Sequence, residues 1–170
     1  MKKYILTIVF VLLVISLQAQ VDRTNFRAGI NAGIVTGDAS DFYNFNLGID
    51  VLHIWGLSKV IDLGFATGFN NAFGEEESFT NGGLTITTEF ANIQYIPLAL
   101  ALRIYPTYGF KFGGDIGYGI GISSGFEGGF YYKPTVGVDI NGTTELNISY
   151  VTISNNGSFS VVQAGVLFLF

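Results

Sequence analysis

Gly121-Ile122-Ser123-Ser124-Gly125 fits G-x-S-x-G, the pattern of a serine nucleophile held on a strand–turn–helix elbow. Such a serine needs a histidine base, and the chain has one histidine, His53. Period-two alternation surrounds both residues and predicts strands, with Ser123 and His53 at opposite ends of them. No catalytic residue follows from this pair. Gly113 to Gly121 resembles a phosphate-cradling loop in composition only, because strand alternation runs through it. With no cysteine and a single histidine the sequence calls for no metal and no cofactor. The chemistry that remains is ion pairing by nine charges set in alternating segments: Arg27, Asp50, Asp62, Arg103, Lys111, Asp115, Lys133, Asp139 and Glu145.

The elements that position them are strands. Phe26, Ala28, Ile30, Ala32 and Ile34 alternate with Arg27, Gly29, Asn31 and Gly33, and Phe45 to Val51 alternates with Asn44 to Asp50. The same period recurs to the end of the chain, where the last segment becomes apolar on both phases. Eight strands are predicted, at about 25–35, 43–54, 60–70, 85–105, 109–122, 128–140, 143–154 and 158–170. The fourth contains Pro97, which lacks a ladder donor and normally marks an edge or bulge. Splitting the segment there would give nine strands. Eight is preferred because single-chain outer-membrane barrels have even strand numbers. Asn141-Gly142 predicts a type I′ hairpin between the sixth and seventh strands. Short turns at 55–59, 106–108 and 141–142 contrast with connections at 36–42 and 71–83 that are longer and carry Asp38, Asp41, Glu75, Glu76 and Glu77. That asymmetry matches barrels with short periplasmic turns and longer external loops.

Phase decides what lies outside such a barrel. When strands are phased by their apolar residues alone, all nine charges fall on the other phase. A lipid-facing arginine or lysine near mid-bilayer costs roughly 2–4 kcal/mol. A soluble barrel would invert the arrangement, with an apolar interior and a charged exterior. The predicted fold is therefore an all-β, eight-stranded antiparallel up-and-down transmembrane barrel. Four positive and five negative residues face its lumen, which side chains just fill at this strand number. They are read as an ion-pair network plugging it, with inward glycines leaving water-filled space toward the external end. Trp55, Tyr105 and Tyr108 are expected at the periplasmic interface, with Tyr118 and Tyr150 toward other strand ends, as interfacial girdles. His53 shares the outward phase beside Trp55 and reads as an interfacial residue.

Composition agrees. Charged residues are 12% of the chain, against roughly 25% in typical globular domains. Acidic residues number 13 against eight basic ones, which argues against a nucleic-acid binder. Lys2 and Lys3 precede an apolar run from Tyr4 to Leu17, and Ser16-Leu17-Gln18-Ala19-Gln20 offers cleavage after Ala19. The run is shorter than the ~20 residues of a spanning helix. No cysteine follows it, so no lipoprotein anchor is predicted. The expected organisation is a signal peptide over 1–19 and a barrel domain over 20–170, in the bacterial outer membrane.

At this point the chain resembles the small outer-membrane barrels of the OmpA/OmpX type, and more closely the PorT-like outer-membrane β-barrel domain family. Ile93-Gln94-Tyr95-Ile96-Pro97-Leu98-Ala99-Leu100 keeps the Ile-Pro-Leu of that family's fourth strand but lacks its usual acid and downstream lysine. The chain ends in Phe170, with Phe168, Val166, Ala164 and Val162 alternating before it. This is similar to the signal read by the barrel-assembly machinery. The resemblance covers essentially the whole mature chain and implies outer-membrane lipid and lipopolysaccharide as surroundings, with an envelope protein as a further partner. A non-enzymatic structural or interaction role is the leading expectation. A narrow channel for ions or small solutes and an accessory subunit of an envelope or secretion complex are the alternatives. A lipid-modifying enzyme is the remote one, since the sequence lacks the clustered histidine, serine and acid that such barrels carry.

Overall fold

The computed structural model describes residues 21–81, 84–107, 109–155 and 157–170. The expected signal peptide over 1–19 and the girdle residue Tyr108 lie outside the described residues. Strands β1 (Val21–Thr36), β2 (Tyr43–Gly56) and β3 (Ile61–Gly74) are followed by a short hairpin of β4 (Glu76–Asn81) and β5 (Leu84–Glu89). Then come β6 (Ile93–Thr107), β7 (Phe110–Gly121), β8 (Gly128–Asp139), β9 (Thr144–Asn155) and β10 (Gly157–Leu169). Eight of these close a barrel in the order β1-β10-β9-β8-β7-β6-β3-β2, with antiparallel neighbours throughout, and β4–β5 form a separate two-stranded sheet.

The expected fourth strand over 85–105 is thus two elements. Residues 84–89 pair with 76–81 in the hairpin, and the barrel strand begins at Ile93. Pro97 is not a bulge either. The β3–β6 ladder pairs Thr67 with Leu98 and resumes at Asn70 with Tyr95 in the same register. The strand tolerates the proline by omitting ladder bonds where its N–H is missing. A second difference lies at Asn141-Gly142. Ile140 N–H donates to Thr144 O at 2.9 Å, so a three-residue loop replaces the two-residue type I′ turn. Asn141 Oδ1 accepts the N–H groups of Thr143 and Thr144 at 3.2 and 2.8 Å, and Gly142 holds φ +78°. Asparagine shapes this turn through its side chain rather than its backbone.

The first and last strands meet. β1 pairs with β10 from Arg27↔Leu169 to Thr36↔Ser160, and Phe26 and Phe170 exchange backbone hydrogen bonds of 3.2 and 2.8 Å. Val166, Phe168 and Phe170 lie on the outward phase of this closing strand, half-buried, exposed and exposed in turn.

The wall separates two environments. Outward positions are large and apolar, among them Ile30, Phe65, Leu98, Ile116, Ile148 and Phe168, all exposed. Inward positions include Arg27, Asp62, Arg103, Lys111, Glu145 and Gln163, all at 3% exposure or less. A water-soluble chain buries the first set and exposes the second, so this wall is built to face lipid. Lipid-facing strands need every backbone group paired, which the closed ladder supplies.

Candidate functional site: the barrel lumen

The lumen is built in layers from the short-turn end to the long-loop end. At the turn end Arg27 on β1 reaches Glu145 on β9 at 3.2 Å and Asp62 on β3 at 4.0 Å. Lys111 on β7 shares the same Glu145 Oε2 and lies 3.3 Å from Asp139. One carboxylate therefore holds two cations that arrive from opposite sides of it. Arg27 also donates to the Asn25 side chain at 2.7 Å and to the Tyr105 hydroxyl at 2.9 Å.

Tyr105 corrects its sequence assignment. It does not join the lipid-facing girdle; its hydroxyl turns into the lumen and its ring sits 5.8 Å below Lys111 Nζ. The residue had the polar phase of Arg103, and phase alone would have placed it inward. Trp55 stays outward and half-buried, with His53 edge-on at 4.4 Å and Phe65 at 5.8 Å. Tyr118 and Tyr150 are outward and exposed.

The second layer crosses the barrel. Lys133 on β8 meets Asp50 on β2 at 2.7 Å, and these strands stand opposite one another in the eight-membered ring. Arg103 and Asp115, on adjacent strands, pair at 2.6 Å, and Arg103 also donates to Leu102 O at 2.9 Å. Buried ions are tolerated only when paired and hydrogen-bonded, and these pairs satisfy that demand locally.

Above the ions lies a layer of amides and hydroxyls: Asn31, Asn46, Asn70, Asn147, Ser149 and Gln163, all buried. Asn46 Nδ2 donates to Asn70 at 3.2 Å and to Asn31 at 3.5 Å. Some inward glycines stand where a side chain of their own would collide with those from other strands. A Cβ at Gly48 would run into Asn70 Oδ1 and Asn31 Oδ1, and one at Gly119 would press on Ile153. At these two positions glycine makes room for side chains reaching from other strands.

The loop end is roofed by apolar residues that the sequence reading did not assign. Tyr95, Tyr131, Val151, Ile153, Phe159 and Val161 are buried, each at 2–3% exposure or less. Phe159 packs edge-on against Tyr43, Tyr95 and Phe126, with ring centres 6.4, 6.1 and 5.9 Å away.

Ser123 lies in the loop after β7. Its hydroxyl accepts the Gln94 N–H at 3.0 Å and its carbonyl accepts the Phe126 N–H at 3.3 Å. The G-x-S-x-G segment is a loop closure, and His53 sits on the outer wall toward the turn end. No group of three or more potential metal ligands occurs among the described residues.

No family model matches the chain, and no curated protein does. Solved structures do. The crystal structure of Ail, the attachment invasion locus protein of Yersinia pestis, aligns with TM-score 0.55 at 13% identity, covering 86% of this chain and 97% of that one. The backbone structure of Ail in a phospholipid bilayer nanodisc gives 0.54 at 12% identity, over 87% of this chain and all of the other. A de novo designed transmembrane β-barrel gives 0.55 at 8% identity, covering 89% and 99%. At such identities the likeness carries architecture alone: this chain folds as a small, closed, eight-stranded transmembrane β-barrel.

Proposed function

We propose that the chain is an exported bacterial outer-membrane protein without enzymatic activity, whose sealed barrel is a rigid platform for its loops. One observation carries the reading. From the turn end to the loop end the lumen is filled by ion pairs, then amides, then an aromatic roof, with Arg27, Asp62, Lys111, Glu145, Gln163 and Tyr95 at 3% exposure or less. A path for solutes would need hydrated side chains along the axis, and this column has none at those positions. Enzymatic chemistry is disfavoured by the use of Ser123 in loop closure and by the outward position of His53. Lipid and lipopolysaccharide surround the barrel in this reading. The C-terminal Val166, Phe168 and Phe170 present the assembly machinery with an outward apolar strand end, and the leader over 1–19 directs export.

Planar-bilayer recording tests the reading. Insertion of folded protein should leave the membrane without discrete conductance steps. Reproducible nanosiemens-scale openings that scale with added protein would overturn it in favour of a channel.

A further inference from the structure

Above the aromatic roof the loop-side connections surround a cup of about 500 Å³. Its floor is Ile93, Phe126, Ile153 and Phe159, and its rim includes Glu127, Asn155 and Ser158. Ile93, Ile153 and Phe159 are buried, Phe126 is half-buried, and the three rim side chains are exposed. A side-chain carbon at Gly125 would meet nothing within 4 Å, so the rim is open on that side. The volume falls within the range of small-molecule sites, which pair an apolar floor with a few placed polar groups.

Charge in the loop-side segments of the chain has one sign. Asp38, Asp41, Glu75, Glu76, Glu77, Glu89 and Glu127 all belong to loop-side segments of the chain. Beyond the leader the basic residues are Arg23, Arg27, Lys59, Arg103, Lys111 and Lys133. Arg27, Arg103, Lys111 and Lys133 are buried in the lumen, while Arg23 and Lys59 belong to the turn-side end. No basic residue belongs to a loop-side segment. Single-sign rims over low-dielectric walls concentrate counter-charged solutes.

We propose that this cup binds a small organic cation, its apolar body seated on Phe126 and the aliphatic floor and its charged group at the Glu127 carboxylate. A half-buried aromatic ring beside a carboxylate favours an ammonium group over a neutral or anionic one of the same shape. The proposal does not depend on a closed lumen, because the cup lies on the loop side of the roof.

The test uses the folded full barrel in a neutral glycoside detergent, with phenethylammonium as the probe. The uncharged 2-phenylethanol and the anionic phenylacetate serve as matched comparators. Binding is read from the methyl resonances of Ile93 and Ile153 during titration. Phenethylammonium should give saturable one-to-one shifts, with the alcohol roughly tenfold weaker and the anion weaker still. Glu127→Gln, at an exposed position, should weaken the cation about two- to fivefold and leave the alcohol unchanged. Ala39→Trp, placed to fill the cup, should abolish both shifts while heat-modifiable migration on gels reports an intact barrel. Equal affinity for cation and alcohol, indifference to Glu127→Gln, or no saturable shift at either isoleucine would each overturn the assignment.

Discussion

Replacing Lys133 by methionine removes the cationic half of the bridge that spans the lumen. The two side chains are 6% and 8% exposed and 2.7 Å apart, so Asp50 is left as a buried carboxylate. Its cross-strand neighbours are Gly29 on β1 and Gly68 on β3, which offer no side chain in exchange. Breaking a buried pair from one side costs about 3–5 kcal/mol, most of it the penalty of the stranded charge. At about 4 kcal/mol the folded-to-unfolded ratio falls roughly a thousandfold. Asp50→Asn should be milder, because Lys133 stands directly across from Asp115 on β7 and can turn to it. The loss there is about 1.5–3 kcal/mol, that of one charge-assisted hydrogen bond. Removing both, as Lys133→Met with Asp50→Leu, should restore stability to within about 1 kcal/mol of the parent, since an apolar pair replaces an ion pair at little net cost. Urea titration of barrels folded into lipid vesicles, followed by Trp55 fluorescence and by heat-modifiable migration, measures all three. If Lys133→Met costs less than about 1 kcal/mol, or no more than Asp50→Asn, the bridge does not bear on stability and the layered account of the lumen is wrong.

Ile148→Arg places a cation on the lipid face at a residue 64% exposed, and should cost about 2–4 kcal/mol in the same titration, against under 1 for Ile148→Val. Gly142→Ala forces a side chain to φ +78° and should cost about 1 kcal/mol, read as a shift in the urea midpoint. Deleting Phe170 removes its two backbone bonds to Phe26 and should lower the heat-modifiable fraction on refolding, whereas Phe170→Leu, which keeps both bonds, should preserve it. Trp55, the one tryptophan, sits outward at the turn end. Its fluorescence should be quenched more by lipids brominated near the glycerol than by lipids brominated at the chain ends.

The barrel was legible in the sequence wherever the two faces of a strand differ in chemistry. Arg27, Lys111 and Glu145 could be placed inward because lipid penalises a charge and tolerates an isoleucine. That contrast disappears toward the loop end. There Val35, Val151, Ile153 and Phe159 are apolar and inward while Ile34, Tyr150 and Val162 are apolar and outward, so alternation could not announce the roof. Residues 84–89 misled for a related reason: period two marks a strand but not the sheet it joins, and Leu84 to Glu89 pair with the hairpin, not the wall. Tyr105 shows a third limit: a tyrosine at a strand end suggests a girdle even where its phase, shared with Arg103, points inward, and its hydroxyl bond with Arg27 follows the phase. The crossing of Lys133 to Asp50 depends on which strands stand opposite, and that is a property of the closed ring alone.

The seam between β1 and β10 gives the ion pairs a further part to play. Arg27 stands on the first strand, while its partner Glu145 stands on the ninth, two places away across that seam. An open sheet lying in the membrane would part these two residues, Arg27 keeping Asp62 and Glu145 keeping Lys111, so that each cluster loses its link to the other. Only when the last strand docks on the first do they disappear from lipid together. A barrel stalled short of closure is thus penalised twice, by its unpaired edges and by its incompletely paired ions. The charges act as a checkpoint on insertion: membrane residence is favourable for the finished ring and costly for every sheet that precedes it.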